Sequence, residues 1–584
     1  MNYDLNKLSE PEQKTSTYKA LGKLLKLISH EQKNLSLAFL AIILNTSVNL
    51  FGPFLIGHAI DKYVVTKQFH GLLVFGGILL GMYLIGLVTS YQQTILMGGV
   101  GQRLLFTLRN AIFNKLQQLP VAFFNQNKAG DLISRVNNDT DKLNQFFSQS
   151  LMQFVGSIFT MLGAGIFLLA INVRLGAAAL LPAVLILVFT MVLSPWVKSS
   201  NAKNLKSTGG LSAEIQESLS NFKVVIAFNR RDYFRKRFQL ANLDNYQTSI
   251  RAGLANNIFM PVYTLFSNIA QLIVLTYGIY LISMGEFTIG LLVSYLAYAV
   301  HFYNPLRQLA ALWTNFQVAM AGWDRISHIL TLETNLTALP ETETVAGPLL
   351  EFRNVHFGYD TKEILHHVSF KLERGKTYAL VGPTGGGKTT TASLIARLYD
   401  PKEGTVLLDG KDIRSYSAEE RSQKIGFILQ EPFLFSGTIR ENILYGNEQL
   451  KDHSNEKLEQ VILSANMGEI LALFDDGLDT KVTSAGDSIS LGQKQLIAFM
   501  RAVLRSPEVL ILDEATANID TVTEKLLGNI LKQLPDSTTQ VIIAHRLNTI
   551  ESADEIFFVN SGEVNRAGSL DDAMHMLLKD NRTS

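Results

Sequence analysis

The run Gly382-Pro383-Thr384-Gly385-Gly386-Gly387-Lys388-Thr389 has the spacing G-x-x-x-x-G-K-[ST] and stands between a strand-like TYALV and a helix-like TTTASLIARL. A glycine-rich loop of this form turns several backbone N–H groups toward one point, and the helix behind it adds its positive end. That arrangement suits a polyphosphate. Lys388 reaches the terminal phosphates, Thr389 offers its hydroxyl to Mg²⁺, and Thr390 follows in the first helical turn.

Further along, Val509-Leu510-Ile511-Leu512-Asp513-Glu514 reads as a buried strand ending in two carboxylates. Asp513 then falls in the shell of the magnesium ion, and Glu514 stands where it can polarise an attacking water. Together the two motifs predict hydrolysis of a nucleoside triphosphate, with positioning and charge stabilisation supplying most of the catalysis.

From Leu350 onward the chain resembles the ATP-binding-cassette family. The resemblance implies ATP and Mg²⁺ as ligands, and it gives roles to residues that spacing alone leaves undetermined. Tyr359 in HFGYD corresponds to the aromatic that stacks on adenine, and Gln430 in GFILQEPFLF to the glutamine that senses Mg²⁺ and the membrane domain. His545 in VIIAHRL corresponds to the switch histidine at the γ-phosphate, and Asp520 to the aspartate of the D-loop.

The family's Leu-Ser-Gly-Gly-Gln signature appears here as Ile489-Ser490-Leu491-Gly492-Gln493, preceded by an equally divergent VTSAGDS. In related cassettes this segment opens a helix that binds the γ-phosphate of ATP held by the opposite cassette, and close backbone approach there favours glycine. Leu491 breaks the pattern, while Lys388, Asp513, Glu514 and His545 keep it. In heterodimeric members one subunit shows this combination and its partner the complementary defects. The resemblance therefore implies a non-identical second half-transporter with an intact signature, with tolerated drift in a working homodimer as the alternative.

The elements around the nucleotide motifs divide the chain in two. It has 584 residues, 47% hydrophobic and 18% charged, and the apolar excess lies before about residue 315. Apolar stretches near 35–60, 71–97, 148–171, 175–196, 255–283 and 287–311 are each long enough to cross roughly 30 Å of hydrocarbon. Long, helix-periodic connections at about 98–147 and 197–254 predict helices that continue well beyond the bilayer. Basic residues such as Lys26, Lys33, Arg103, Arg109 and Lys115 collect on one side, whereas Lys62, Lys67 and Arg174 are alone on the other. The rule that cytoplasmic segments retain Lys and Arg puts both termini and the cassette in the cytosol.

Residues 332–349 are acidic and rich in Thr and Pro, a linker, and beyond them strand-like and helical runs alternate as in an α/β domain. The predicted fold is an α-helical six-span transmembrane domain at 35–331 followed by an α/β P-loop NTPase domain at 350–584. The whole chain resembles exporters with six helices per half, which implies a cytosolic segment with an elbow helix at 1–34 and a bacterial cytoplasmic membrane. In the first inner connection Leu119–Phe124 and Gly130–Asp139 resemble the family's coupling-helix region, expected to dock on the cassette, and Glu217–Leu219 with Val225–Phe228 resemble its second one.

A net charge of +1 gives no reason to expect nucleic acid, and the absence of cysteine excludes disulfides and thiolate metal sites. With few charges in the spans, the expected cavity is apolar, lined by aromatics and amides such as Asn45, Asn49, Phe51, Tyr295 and Phe302, and suited to amphipathic molecules or lipids. The expected activity is ATP-driven export by alternating access. A homodimeric lipid or peptide exporter and an ATP-gated channel or regulator share the same architecture.

Overall fold

The computed structural model describes residues 3–5, 31–333, 336, 338–340, 347–359, 362–483, 489–514, 521–543, 550, 552–568, 571–572 and 575–576. The expected elbow helix, Asp520, His545 and residues 484–488 before the signature lie outside them. By internal contacts the chain divides into two compact units, residues 11–117 with 130–331, and residues 1–10 with 118–129 and 332–584.

Helices that matter below are α1 (Gln32–Ala59), α2 (Phe69–Gln118), α3 (Val121–Gln126), α4 (Leu151–Ile171), α5 (Val173–Ser220), α6 (Phe222–Ala227), α7 (Arg231–Asn257), α8 (Phe259–Ser283) and α9 (Ile289–Thr331). All except α3 belong to the first unit. At 1.5 Å per residue the 50 residues of α2 extend about 75 Å, far more than the ~30 Å of a hydrocarbon core, as the long connections predicted. Leu73, Leu80 and Leu87, seven residues apart on α2, are all more than 60% exposed. A face of this kind suits lipid rather than water.

Five of the described helical segments are long and apolar enough to cross a membrane. The sixth expected span, α9, is one continuous helix of 43 residues that falls short of the same apolarity. Its polar residues explain the difference. Tyr298 Oη donates to Leu50 O at 2.7 Å, Tyr303 Oη to Ala179 O at 2.8 Å, and Tyr295 Oη to Asn172 O at 2.8 Å. Each hydroxyl satisfies itself on a backbone carbonyl, so α9 is fastened to α1, to α5 and to the α4–α5 turn by groups that lower its hydropathy.

Two acidic residues fix the ends of α9. Asp61, just beyond α1, accepts the backbone N–H of Gly290 at 2.8 Å and the hydroxyl of Thr288 at 2.5 Å, capping the helix start. Gly290 must be glycine there, because a Cβ would lie 2.0 Å from Gly57 O. At the far end Asp139, 3% exposed, is bonded by Arg325 Nε at 2.7 Å and by Lys142 Nζ at 3.2 Å.

Tyr295 is a correction to the expected cavity lining. Tyr295 is fully buried in the core with Phe287 and Leu168, Phe302 packs against Tyr303, and Phe51 packs edge-on to Phe167. Of the residues named from the sequence, Asn45 and Asn49 line a cavity of about 330 Å³, and its wall is polar rather than aromatic.

In the second unit the strands are β1 (Leu350–Phe357), β2 (Leu365–Leu372), β3 (Thr377–Val381), β4 (Glu403–Leu408), β5 (Ile425–Ile428), β6 (Val509–Asp513), β7 (Thr539–Ile543), β8 (Glu555–Asn560) and β9 (Glu563–Arg566). An antiparallel sheet carries β2, β1 and β4 side by side, and a second sheet runs in the order β9-β8-β3-β7-β6-β5. The second is parallel apart from the β8–β9 hairpin. Every residue of β6 is buried, which is why its sequence is a continuous apolar run and not an alternation. Helices α10 (Lys388–Ile395), α11 (Leu491–Val503) and α12 (Thr521–Lys532) complete the elements used below.

Candidate nucleotide site

β3 lies between β8 and β7, and the chain leaves its end through the glycine-rich loop into α10. Open-sheet folds place their ligands at such strand ends. Gly382, Gly385 and Gly387 have φ of 145°, 84° and 116°, the left-handed region that side chains disfavour. At Gly382 the requirement is also steric, since a Cβ would sit 2.0 Å from Val559 O. Gly386 donates its N–H to Pro383 O at 3.1 Å and closes the loop, while Thr384 and Gly385 form its exposed crest.

Lys388 folds back over this loop, with Nζ donating to Gly382 O at 2.9 Å and Pro383 O at 3.0 Å. The residue is 5% exposed. Burial pushes its pKa below the ordinary lysine value, and the charges of Glu514 and Asp513 oppose that shift. Two weak carbonyl bonds thus hold an ammonium group that phosphate oxygens would bind more strongly.

Thr389 Oγ1 donates to Asp513 Oδ1 at 3.1 Å, joining the first turn of α10 to the end of β6. The register of the parallel pair places Ile428 opposite Leu512, so Gln430 and Glu514, each two residues further on, come out side by side. Gln430 Nε2 donates to Glu514 Oε2 at 2.6 Å. Glu514 itself has φ of 48°, a left-handed conformation that costs a non-glycine residue about 1 kcal/mol. Strain of this type persists where surrounding structure overrides it, and functional sites are common among such places.

The structure therefore brings together Lys388, Thr389, Asp513, Glu514 and Gln430. Its oxygen donors fit magnesium: a threonine hydroxyl, an aspartate, and the amide oxygen of Gln430, whose nitrogen is occupied by Glu514. Among the described residues no three His, Cys, Asp or Glu side chains converge as a metal cage. Magnesium is commonly bound through one or two carboxylates, with phosphate and water completing its shell.

Tyr359 is 39% exposed, packs edge-on against Phe357 at 5.2 Å, and brings its hydroxyl within 3.5 Å of Thr390 Oγ1. A partner that sequence reasoning missed is Tyr399, whose ring lies 5.2 Å from that of Tyr359. Its hydroxyl accepts a 2.7 Å bond from Asn125 in α3, so α3 is linked through Tyr399 to the ring of Tyr359. Position alone offered a weak signal, an aromatic just before Asp400-Pro401 at the end of a helix. The chain's start was missed as well. Leu5 N–H donates to Asn127 Oδ1 at 3.1 Å, and Asn127 Nδ2 to Tyr3 O at 2.8 Å, so residues 3–5 lie along the end of α3.

Ser490 caps α11. Its hydroxyl oxygen accepts Gln493 N–H at 3.1 Å, and Gln493 Oε1 accepts Ser490 N–H at 3.0 Å, a reciprocal capping box. Leu491 is the first helical residue, 43% exposed, with ordinary backbone geometry, and Gly492 behind it is buried. Leucine therefore introduces no backbone strain at this helix start. No bond joins Ser490, Leu491, Gly492 or Gln493 to the phosphate loop among the described residues.

Comparison with known proteins agrees with both units. Residues 35–306 match the family model "ABC transporter transmembrane region", and residues 365–517 match "ABC transporter". The ABC transporter ATP-binding protein YfiC of Bacillus subtilis, whose function is uncharacterised, is 35% identical over 92% of this chain and 89% of its own length. A fatty acid ABC transporter ATP-binding/permease protein of Mycobacterium bovis is 33% identical over 84% of this chain and 77% of its own. A multidrug resistance ABC transporter ATP-binding and permease protein of Lactococcus lactis subsp. lactis is 31% identical over 91% and 89%.

Proposed function

This chain belongs to the ATP-binding-cassette transporters, a membrane protein that couples ATP hydrolysis to export, and from that premise we propose that it is the catalytically complete half of a heterodimeric exporter. Exporters of this family act as dimers. The observation that carries the unlike partner is the contrast between two sites: Lys388 stands beside two bonded pairs, Thr389 with Asp513 and Gln430 with Glu514, while the helix end proposed to serve the opposite cassette begins with the bulky Leu491.

In the hydrolysing site Lys388 neutralises the terminal phosphates of ATP, and the backbone N–H groups of residues 384–389 cradle them. Mg²⁺, held by Thr389, Asp513 and the amide oxygen of Gln430, would supply further charge neutralisation between the phosphates. Glu514 orients the attacking water and accepts its proton. Tyr359 stacks on adenine, His545 contacts the γ-phosphate, and Asp520 of the D-loop lies at the dimer interface. The partner's intact signature completes this site. At the second site Ser490 keeps a hydroxyl proton to donate to phosphate, but Leu491 holds the facing ATP away from the helix end, so nucleotide is retained there and not turned over.

ATP contacts both cassettes and favours their closed dimer, which shifts the membrane helices toward the outward-open state, and hydrolysis resets them. Exposed apolar residues on α6, Phe222, Val224 and Ile226, suit docking on a cassette. The names of the relatives, a fatty acid transporter and a multidrug transporter, support an amphipathic or lipid-like substrate. The basic asymmetry and the bacterial relatives support a bacterial cytoplasmic membrane with both termini and the cassette in the cytosol.

The test is ATPase activity of the purified chain alone and co-purified with a second half-transporter. Little turnover alone and a large gain with the partner are expected. Robust substrate-stimulated turnover by the chain alone would show a homodimer in which Leu491 is tolerated drift.

A further inference from the structure

The cavity of about 330 Å³ in the membrane unit is lined by Asn45 and Asn49 of α1, Gln93 of α2, Gln153 of α4 and Gln308 of α9. Four helices thus each send a carboxamide to one place, and no Lys, Arg, Asp or Glu is among its lining residues. These amides stand on helices of the membrane unit, and each carries two donors and an acceptor that favour hydrogen-bonding partners. The wall nearest α1 satisfies part of its own need: Asn45 Nδ2 donates to Gly86 O at 2.8 Å, and Asn49 Nδ2 to Asn45 Oδ1 at 3.0 Å. The carboxamides of Gln93, Gln153 and Gln308 have no such bond among the described residues. They leave both donors and acceptors facing the cavity.

From this we infer that the cavity selects the polar head of an amphipathic substrate, and that the head is uncharged and rich in hydroxyl or amide groups. A cationic head entering here would lose hydration with no carboxylate to replace it, and an anionic head would find no Lys or Arg. A neutral head with donors and acceptors exchanges its water for the carboxamides at little cost. The volume is at the small end of ligand sites, which run from roughly 300 to 1,000 Å³, so the cavity takes the head and leaves the apolar tail to the lipid-facing helices. A sugar-headed lipid and an uncharged acyl-peptide share this chemistry.

This inference rests on the exporter reading only in treating the cavity as a substrate site, and its test needs no ATP. The full chain in lipid nanodiscs, with its partner half where that is required for assembly, is titrated with four dodecyl probes below their micellar concentrations: dodecyl glucoside, dodecanoyl-glycylglycine amide, dodecyltrimethylammonium and dodecyl sulfate. Empty nanodiscs give the background. At least fivefold tighter binding of one or both neutral heads than of either charged head is expected, and the tighter of the two identifies the source of the head group. Gln308→Glu, checked for folding by its elution profile and melting temperature, should move the preference toward the trimethylammonium head by fivefold or more. Equal or tighter binding of a charged head by the unaltered protein overturns the inference. So does binding of none of the probes, or a head-group preference that Gln308→Glu leaves unchanged. ATP-dependent uptake measured separately with Glu514→Gln tests the exporter reading, so the two can fail independently.

Discussion

Gln430 donates its side-chain amide to Glu514 across 2.6 Å, linking the loop after β5 to the residue after β6. The bond fixes the carboxylate that is proposed to face the attacking water, and it leaves the amide oxygen of Gln430 available to the cation. Glu514→Gln keeps the shape and a hydrogen-bonding side chain but removes the base. ATP binding should persist while hydrolysis falls by 10²-fold or more, the scale of a lost general base. Nucleotide binding and single-turnover hydrolysis measured on one preparation check this directly.

Gly382→Ala places a Cβ about 2.0 Å from Val559 O in a left-handed backbone. The loop cannot close as it does here, so binding of an ATP analogue should be lost even though no phosphate-contacting side chain is changed. Alanine at Lys388 should weaken binding for a different reason, by removing charge from an intact loop. A melting temperature lowered by Gly382→Ala and little changed by Lys388→Ala separates the two.

Buried Asp139 holds the end of α9 through Arg325 and Lys142. Asp139→Ala leaves both cations without their acceptor and should cost on the order of 2–3 kcal/mol. Thermal unfolding of the solubilised protein measures this loss. Asp139→Asn, which retains an oxygen acceptor, should cost less.

Glu508 gives a pH signature in the cassette. Burial pushes its carboxyl up, but bonds from Lys424 and Arg374 outweigh burial and hold it below the ordinary value of 4.5. A depressed carboxyl stabilises the folded state above its unfolded pKa, and that contribution is lost as pH falls through the folded value. Stability should therefore decline below about pH 4.5, and Glu508→Gln should flatten that part of the profile while lowering stability at pH 7.

Leu491→Gly removes the side chain at the start of α11. If Leu491 keeps the second site from turning over, the substitution should raise ATPase activity of the chain alone several-fold. The capping box of Ser490 and Gln493 would be untouched, since Leu491 takes no part in it.

The nucleotide site was legible because its chemistry is local: one loop supplies the phosphate cradle, and one apolar strand ends in Asp513 and Glu514. The pairing of Gln430 with Glu514 needed the sheet order, which places β5 beside β6 although some eighty residues separate them. Tyr399 was missed because its role depends on α3, a segment far away in sequence whose Asn125 meets it only in the fold. The cavity was misjudged for a related reason. Composition made the spans apolar and suggested walls of aromatics and amides; the amides Asn45 and Asn49 do line the cavity, but the tyrosines of α9 turned to backbone carbonyls in the core. Leu491 was read from the sequence as a departure that bears on the opposite cassette, and the helix start itself accepts leucine with ordinary backbone geometry.

ATP hydrolysis at this cassette drives export. Its most direct measurement is ATP-dependent uptake of a labelled amphipathic substrate into inside-out membrane vesicles, comparing the unaltered chain with Glu514→Gln at equal expression and with the same partner half. The expected result is Mg²⁺- and ATP-dependent accumulation that Glu514→Gln reduces to the level seen without ATP. Accumulation that continues at the same rate with Glu514→Gln would contradict the account.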